Sequence, residues 1–219
     1  MLSGSWARYA PLAGILFVAL LVASIIISGS TPETNDSTVK VVAEWKKNDS
    51  EQITGAILSA LAIVPFLWFL GSLRSALRTA EGGTGRLSAT AFAGGVVLAG
   101  FALVDSSIQF AVADSVGDVP PLVTQSLSVL YSDFFFGFPV GVGVFALATG
   151  LVILRSRAFP AWLGWTIFIL GIISFAGPIG FFASFLVFAW IVVMSIVLFQ
   201  RGDVAAPPAP TTPTAPAGI

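Results

Sequence analysis

The chain has 219 residues, 56% of them hydrophobic and 10% charged, with a mean hydropathy of +0.95 and a formal net charge of −1. An average soluble domain is about 25% charged, so a water-soluble globule is disfavoured, and the scattered basic residues lack the clustered footprint of a nucleic-acid binder. With no Cys and no His, disulfides, thiolate nucleophiles, iron–sulfur clusters, ordinary zinc sites, histidine-ligated haem and histidine acid–base catalysis drop out, and no cofactor or metal is expected.

Apolar runs long enough to span a bilayer organise the chain. The first, residues 11–28, follows a short head carrying only Arg8 and ends in Ile25, Ile26 and Ile27. A signal peptide has a shorter apolar region, roughly 7 to 15 residues, closed by a small-residue cleavage site, so a retained anchor is predicted. Residues 29–52 form a polar outer loop whose bulky apolar content is Val39, Val41, Val42 and Trp45, enough for a short surface helix. Its Asn35-Asp36-Ser37 and Asn48-Asp49-Ser50 triplets have the form of glycosylation acceptors, a pattern common by chance in polar loops.

A second span, 53–73, continues as helix through Arg74, Arg78 and Glu81 until Gly82-Gly83 stops it. Arg86 opens a third, 87–113, with Asp105 inside it. After Pro120-Pro121 the apolar run 122–154 is longer than one span needs. Its first part, 122–133, is amphipathic, with Leu127, Leu130 and Phe134 on one side, and reads as an outer surface helix ahead of a fourth span, 134–154, bent at Pro139. Residues 159–199 would make a helix of roughly 60 Å, more than one bilayer holds. Gly177-Pro178 divides them into a fifth span, 160–176, and a sixth, 179–199, joined by a tight turn.

An N-terminus inside the cell puts Arg8, Arg74, Arg78, Arg86, Arg155, Arg157 and Arg201 in the cytoplasm, and only Lys40, Lys46 and Lys47 outside. The expected fold is therefore an all-α membrane protein over 1–202, a six-helix bundle with both termini cytoplasmic. Trp6, Trp162 and Trp165 sit where inner-interface anchors belong. The Pro/Ala/Thr-rich tail, 203–219, cannot build a core and is expected to be disordered. The Arg201-Gly202-Asp203 triplet faces the wrong compartment for an adhesion signal.

Two acids, Asp105 and Asp133, fall within or at the edge of apolar helices, where a charge near the bilayer centre costs about 2.5 to 3.5 kcal/mol. Asp105 lies roughly 28 Å along a helix from Arg86, and Asp133 roughly 33 Å from Arg155. Both reach the outer boundary, in a polar belt with Ser106, Ser107, Gln109, Ser128, Tyr131 and Ser132. The plain interpretation is a hydrated rim. The sharper one is a pocket, using Asp105, Ser106, Gln109, Tyr131 and Asp133, in which the two carboxylates approach and serve a proton or cation. Small residues recur at four-residue spacing, Ala91, Gly95 and Ala99, then Gly137 and Gly141. Such faces pack helices closely, within one subunit or in a homo-oligomer.

Intramembrane enzyme signatures are lacking. Val116-Gly117-Asp118 is not the Gly-x-Gly-Asp of presenilin-type proteases, Tyr131-Ser132-Asp133 is not their Tyr-Asp pair, a rhomboid-type protease needs a histidine, and no P-loop or Gly-x-Gly-x-x-Gly opens a helix. The stretch Trp68-Phe69-Leu70-Gly71-Ser72-Leu73-Arg74, with Leu77-Arg78, Glu81-Gly82-Gly83, Arg86-Leu87 and residues 91–95, resembles a group of bacterial multi-span proteins. Phe159-Pro160-Ala161-Trp162-Leu163-Gly164 looks like the inner-loop motif of a related domain-of-unknown-function family, 4386. The resemblance implies a multi-pass protein of the bacterial plasma membrane and assigns no activity or catalytic residue. A binding, scaffold or accessory component in the lipid bilayer is expected rather than an enzyme. The alternative is a small transporter or channel subunit using the site near Asp105 and Asp133.

Overall fold

Away from water, backbone amides must find partners within their own segment, and every regular element among the described residues is a helix. The computed structural model describes residues 8–134 and 137–201. A 3-10 turn at Ala10–Leu12 leads into α1 (Ala13–Ser28), followed by α2 (Thr38–Lys47), α3 (Asp49–Glu81), α4 (Arg86–Ser115), α5 (Pro121–Phe134), α6 (Phe138–Ser156), α7 (Ala161–Ile173) and α8 (Pro178–Arg201). Trp6, residues 202–203 of the Arg-Gly-Asp triplet and the tail 203–219 lie outside the described residues.

Among the described residues four helical stretches are long and apolar enough to cross a membrane: Ala10–Ser28, Asp49–Glu81, Arg86–Ser115 and Pro121–Ser156. α7, at 13 residues, is roughly 20 Å long at 1.5 Å per residue, less than an untilted span requires. The fifth apolar segment was expected to extend to residue 176. It stops at Ile173 because the chain tightens there, with the amides of Phe175 and Ala176 donating to the carbonyls of Ile172 and Ile173, before Gly177 at φ +60° and Pro178 start α8.

α3 begins ahead of the apolar run, with Asp49 and Glu51 in its first turn at the positive end of the helix dipole. It passes through the buried Pro65 and ends at Gly82, whose φ of +66° only glycine adopts cheaply. Pro139, expected to bend a span, instead occupies the first turn of α6, where its missing N–H costs nothing and its φ is already helical. The expected stripe of Leu127, Leu130 and Phe134 is not the buried face of α5. Thr124 and Ser128 are buried, Leu127 and Tyr131 pack beside them, and Leu130 looks outward.

α1 packs on α3, α3 on α4, α4 on α6 and α6 on α7, while α8 closes against α7 and α1. Aromatic pairs stud a mainly aliphatic core: Phe17 meets Phe66 at 4.5 Å between centroids, and Phe145 meets Trp190 edge-on at 6.3 Å. Trp190 is buried, and its indole N–H donates to the carbonyl of Leu163 at 3.0 Å, which removes the penalty of burying a lone donor. The small-residue faces are used inside the chain. A Cβ at Gly94 would stand 2.5 Å from the backbone nitrogen of Phe145, one at Gly141 3.0 Å from that of Leu98, and one at Gly95 2.6 Å from the Leu70 side chain; Ala91 and Ala99 are buried with them. The outward surface is also apolar, with Ile26 73% and Trp68 65% exposed, alongside Ile179, Phe182 and Leu186.

The two ends of the bundle differ in charge. At one, Glu81 accepts the amides of Leu87 and Ser88 at 2.9 and 2.8 Å, capping the start of α4. Arg74 stacks over Phe92, Arg8 over Phe199 and Arg201 over Phe159, and Arg201 also donates to the Ala158 carbonyl. At the other end α2 lies against α5, with Val41 and Trp45 buried over Val112 and Ala113 of α4. The Trp45 indole donates to Ser128 Oγ at 3.0 Å, and its ring meets Tyr131 edge-on at 5.9 Å.

Candidate functional site

Beneath the α2–α5 layer the helices separate around a cavity of about 300 Å³. α4 presents Phe101, Asp105 and Gln109 to it, three residues at four-residue spacing and therefore on one helix face. α5 contributes Tyr131 and Phe134, one turn apart, and α6 contributes Phe138. Leu21, Ser24, Ile25 and Ser28 of α1 form the opposite wall, with Ser59 of α3 and Phe185 and Phe188 of α8. The lining is mainly aromatic and aliphatic with a few polar groups, the usual make-up of a small-molecule pocket.

Two sets of polar groups stand out in the lining. The first is a clamp that joins three helices at the cavity's edge. The Gln109 amide donates to Gln52 Oε1 at 2.7 Å and to Ser28 Oγ at 3.0 Å, and Gln52 Nε2 donates to the Ser28 carbonyl at 2.9 Å. Close by, Ser24 Oγ donates to the Gly55 carbonyl at 2.8 Å, where α1 and α3 touch so tightly that a Cβ at Gly55 would overlap Ser28. These groups satisfy one another, so they hold the frame.

The second set is Asp105. Its side chain is partly buried on the cavity wall, and among the described residues no hydrogen-bond donor or cation pairs with it. Tyr131 is near enough to interact with it electrostatically, and Phe101 packs on Phe134 at 5.5 Å beside it.

Of the residues singled out from the sequence, the structure brings Asp105, Gln109 and Tyr131 to one cavity. Ser106 is buried off the wall and donates to the Leu103 carbonyl of its own helix at 3.0 Å. Asp133 is exposed and lies off the cavity lining, so the two carboxylates do not share it. The hydroxyl belt is largely spent locally, since Ser107 and Ser132 also donate to carbonyls one turn back. The residues missed by sequence reasoning are Ser24, Ser28, Gln52 and Ser59. Gln52 stands one residue before an apolar run, and the serines sit in such runs or at their ends with no charge to draw notice.

A second cavity of about 240 Å³ lies at the arginine end, lined by Glu81, Leu87, Val152, Arg155 and Ser156. Its carboxylate is already engaged by the amides of α4. Among the described residues there is no group of three or more acidic side chains placed to hold a metal ion. No family model, curated protein or solved structure matches the chain.

Proposed function

We propose that this chain is a six-span integral membrane protein with both termini cytoplasmic, acting as a binding component whose cavity between α1, α4, α5 and α8 takes a small amphipathic molecule. The observation that carries the binding role is Asp105, the one ionisable carboxylate among the described residues on the wall of a largely apolar, aromatic-rich cavity of about 300 Å³, the lower end of the ligand-pocket range. Six spans are supported by the apolar surface that the helices turn outward and by the Gly177-Pro178 break between α7 and α8. The sidedness is supported by arginines gathered at one end and lysines in the loop at the other. The likeness of residues 68–95 and 159–164 to bacterial multi-span proteins supports a bacterial plasma membrane.

The binding role is tested by filling the cavity. Ala102 lines it; hexanol should raise the unfolding temperature of the wild-type protein and not that of Ala102→Leu, and an equal rise in both refutes a binding cavity. The topology is tested with thiols, since the chain has no Cys of its own. Cysteines introduced at Ser30 and Ser156 should react with a membrane-impermeant maleimide from opposite faces, Ser30 from outside.

A transporter or channel subunit is the second reading, favoured by the cavity's approach to the polar end at Gly29 and Thr31. It requires that Asp105→Asn abolish cation flux in vesicles.

A further inference from the structure

The cavity leaves one question of chemistry open, namely what neutralises Asp105. A carboxylate brought away from water needs a counter-charge or donors. Lys40, in the loop helix above, is committed to Asp36 at 2.8 Å and Glu44 at 3.9 Å. Lys46 extends toward Gly117, and among the described residues no lysine or arginine lines the cavity. Six aromatic residues share the cavity lining with it instead: Phe101, Tyr131, Phe134 and Phe138 from α4, α5 and α6, and Phe185 and Phe188 from α8.

Aromatic rings attract a cation over their faces, most strongly when it is desolvated, and a carboxylate attracts it by charge. Both features select the same head group. An anionic head would meet Asp105 with repulsion, and a purely apolar molecule would strip water from the carboxylate with no compensation. The aliphatic part of the wall, Leu21, Ile25 and Ala102, suits a short hydrocarbon. Ile25 and Phe185 line the cavity and yet are 47% and 42% exposed on the apolar outer surface, so an amphiphile can enter between α1 and α8 with its chain still in an apolar medium.

Building on the binding role above, we infer that the occupant is an amphiphile with a single cationic head, of the alkylammonium class, its ammonium against Asp105 and its chain toward α1 and α8.

The test uses the full-length protein in nanodiscs of zwitterionic lipid, titrated calorimetrically with hexyltrimethylammonium, hexanol and hexyl sulfate, with empty discs subtracted. The ammonium should bind at least about tenfold tighter than the alcohol, and the sulfate most weakly, the scale of one charge pair with ring contacts. Asp105→Asn should erase that preference and leave hexanol binding in place, Asp105→Glu should restore it, and Asp133→Asn should leave all three unchanged. Hexanol or hexyl sulfate binding as tightly as the ammonium overturns the cationic class while the cavity reading stands. No saturable binding of any probe, or binding that survives Ala102→Leu, overturns the cavity reading itself. If Asp105→Asn fails to fold, the order of the three probes on the wild-type protein decides.

Discussion

The side-chain amide of Gln109 donates to that of Gln52 at 2.7 Å, joining α4 to α3 across 57 residues of chain, and the same nitrogen donates to Ser28 of α1. Three helices are thereby registered at one end of the bundle by groups that would each be costly to bury alone. Gln109→Leu keeps the bulk but strands Gln52 Oε1, so a loss of about 1 to 3 kcal/mol is expected. In a double-mutant cycle with Gln52→Leu, measured by unfolding in detergent, the second substitution should cost less than it does alone. Strict additivity would show that the two amides do not interact.

Trp45 anchors the loop helix α2 through its indole N–H on Ser128 and its edge contact with Tyr131. Trp45→Phe retains a ring but loses the donor, which should loosen the α2–α5 layer by about 1 to 2 kcal/mol. Hydrogen exchange should accelerate at α2 amides and hold steady at those of α6, which packs mainly on α4 and α7. Uniform acceleration would contradict a local anchor.

The crossing of α4 and α6 depends on Gly94, where any Cβ would collide with the Phe145 backbone. Gly94→Ala should therefore destabilise by about 1 to 3 kcal/mol, because a backbone, unlike a flexible side chain, cannot step aside. Gly100 lies six residues on with nothing within 4 Å of its Cβ position. Gly100→Ala should be neutral or stabilising, through lower backbone entropy. Similar unfolding temperatures for the two variants would refute the close crossing.

Acid should weaken the start of α2. The hydrogen bond from Lys40 Nζ holds the Asp36 carboxyl below its ordinary pKa, aided by the Glu33 amide. A depressed folded-state value means that the contribution is present above the unfolded pKa and is lost as pH falls through the folded one. Lys40 is exposed and Asp36 only partly covered, both at the surface of the loop, so the effect is local and screened by salt. Protection of the amides of residues 38–41, taken relative to their intrinsic exchange rate at each pH, should fall below about pH 4 in the wild type, and show no such step in Asp36→Asn.

The helices, and the breaks between them, were legible in the sequence because they rest on composition and on residues that act locally. Apolar runs need internally bonded backbone, Gly82 supplies a positive φ, Gly177-Pro178 interrupts a segment too long for one helix, and charge sorts arginine from lysine along the chain. The boundaries drifted where neighbours intervened: α3 extends through Pro65 and beyond both ends of its apolar run, and α7 gives up its last turn to the connection with α8.

What only the tertiary structure decided was which polar groups meet. Asp105 and Asp133 look alike in sequence, each an acid at similar distance from a basic residue, yet one faces the cavity and the other faces outward. Gln52, Ser24 and Ser28 carry no charge, yet they converge with Gln109 on a single clamp. The reason is rotational. A helix that is apolar on every side has no stripe to declare its inward face, so each polar side chain's direction is set by how neighbouring helices pack, through contacts such as Gly94 on Phe145 and Gly141 on Leu98.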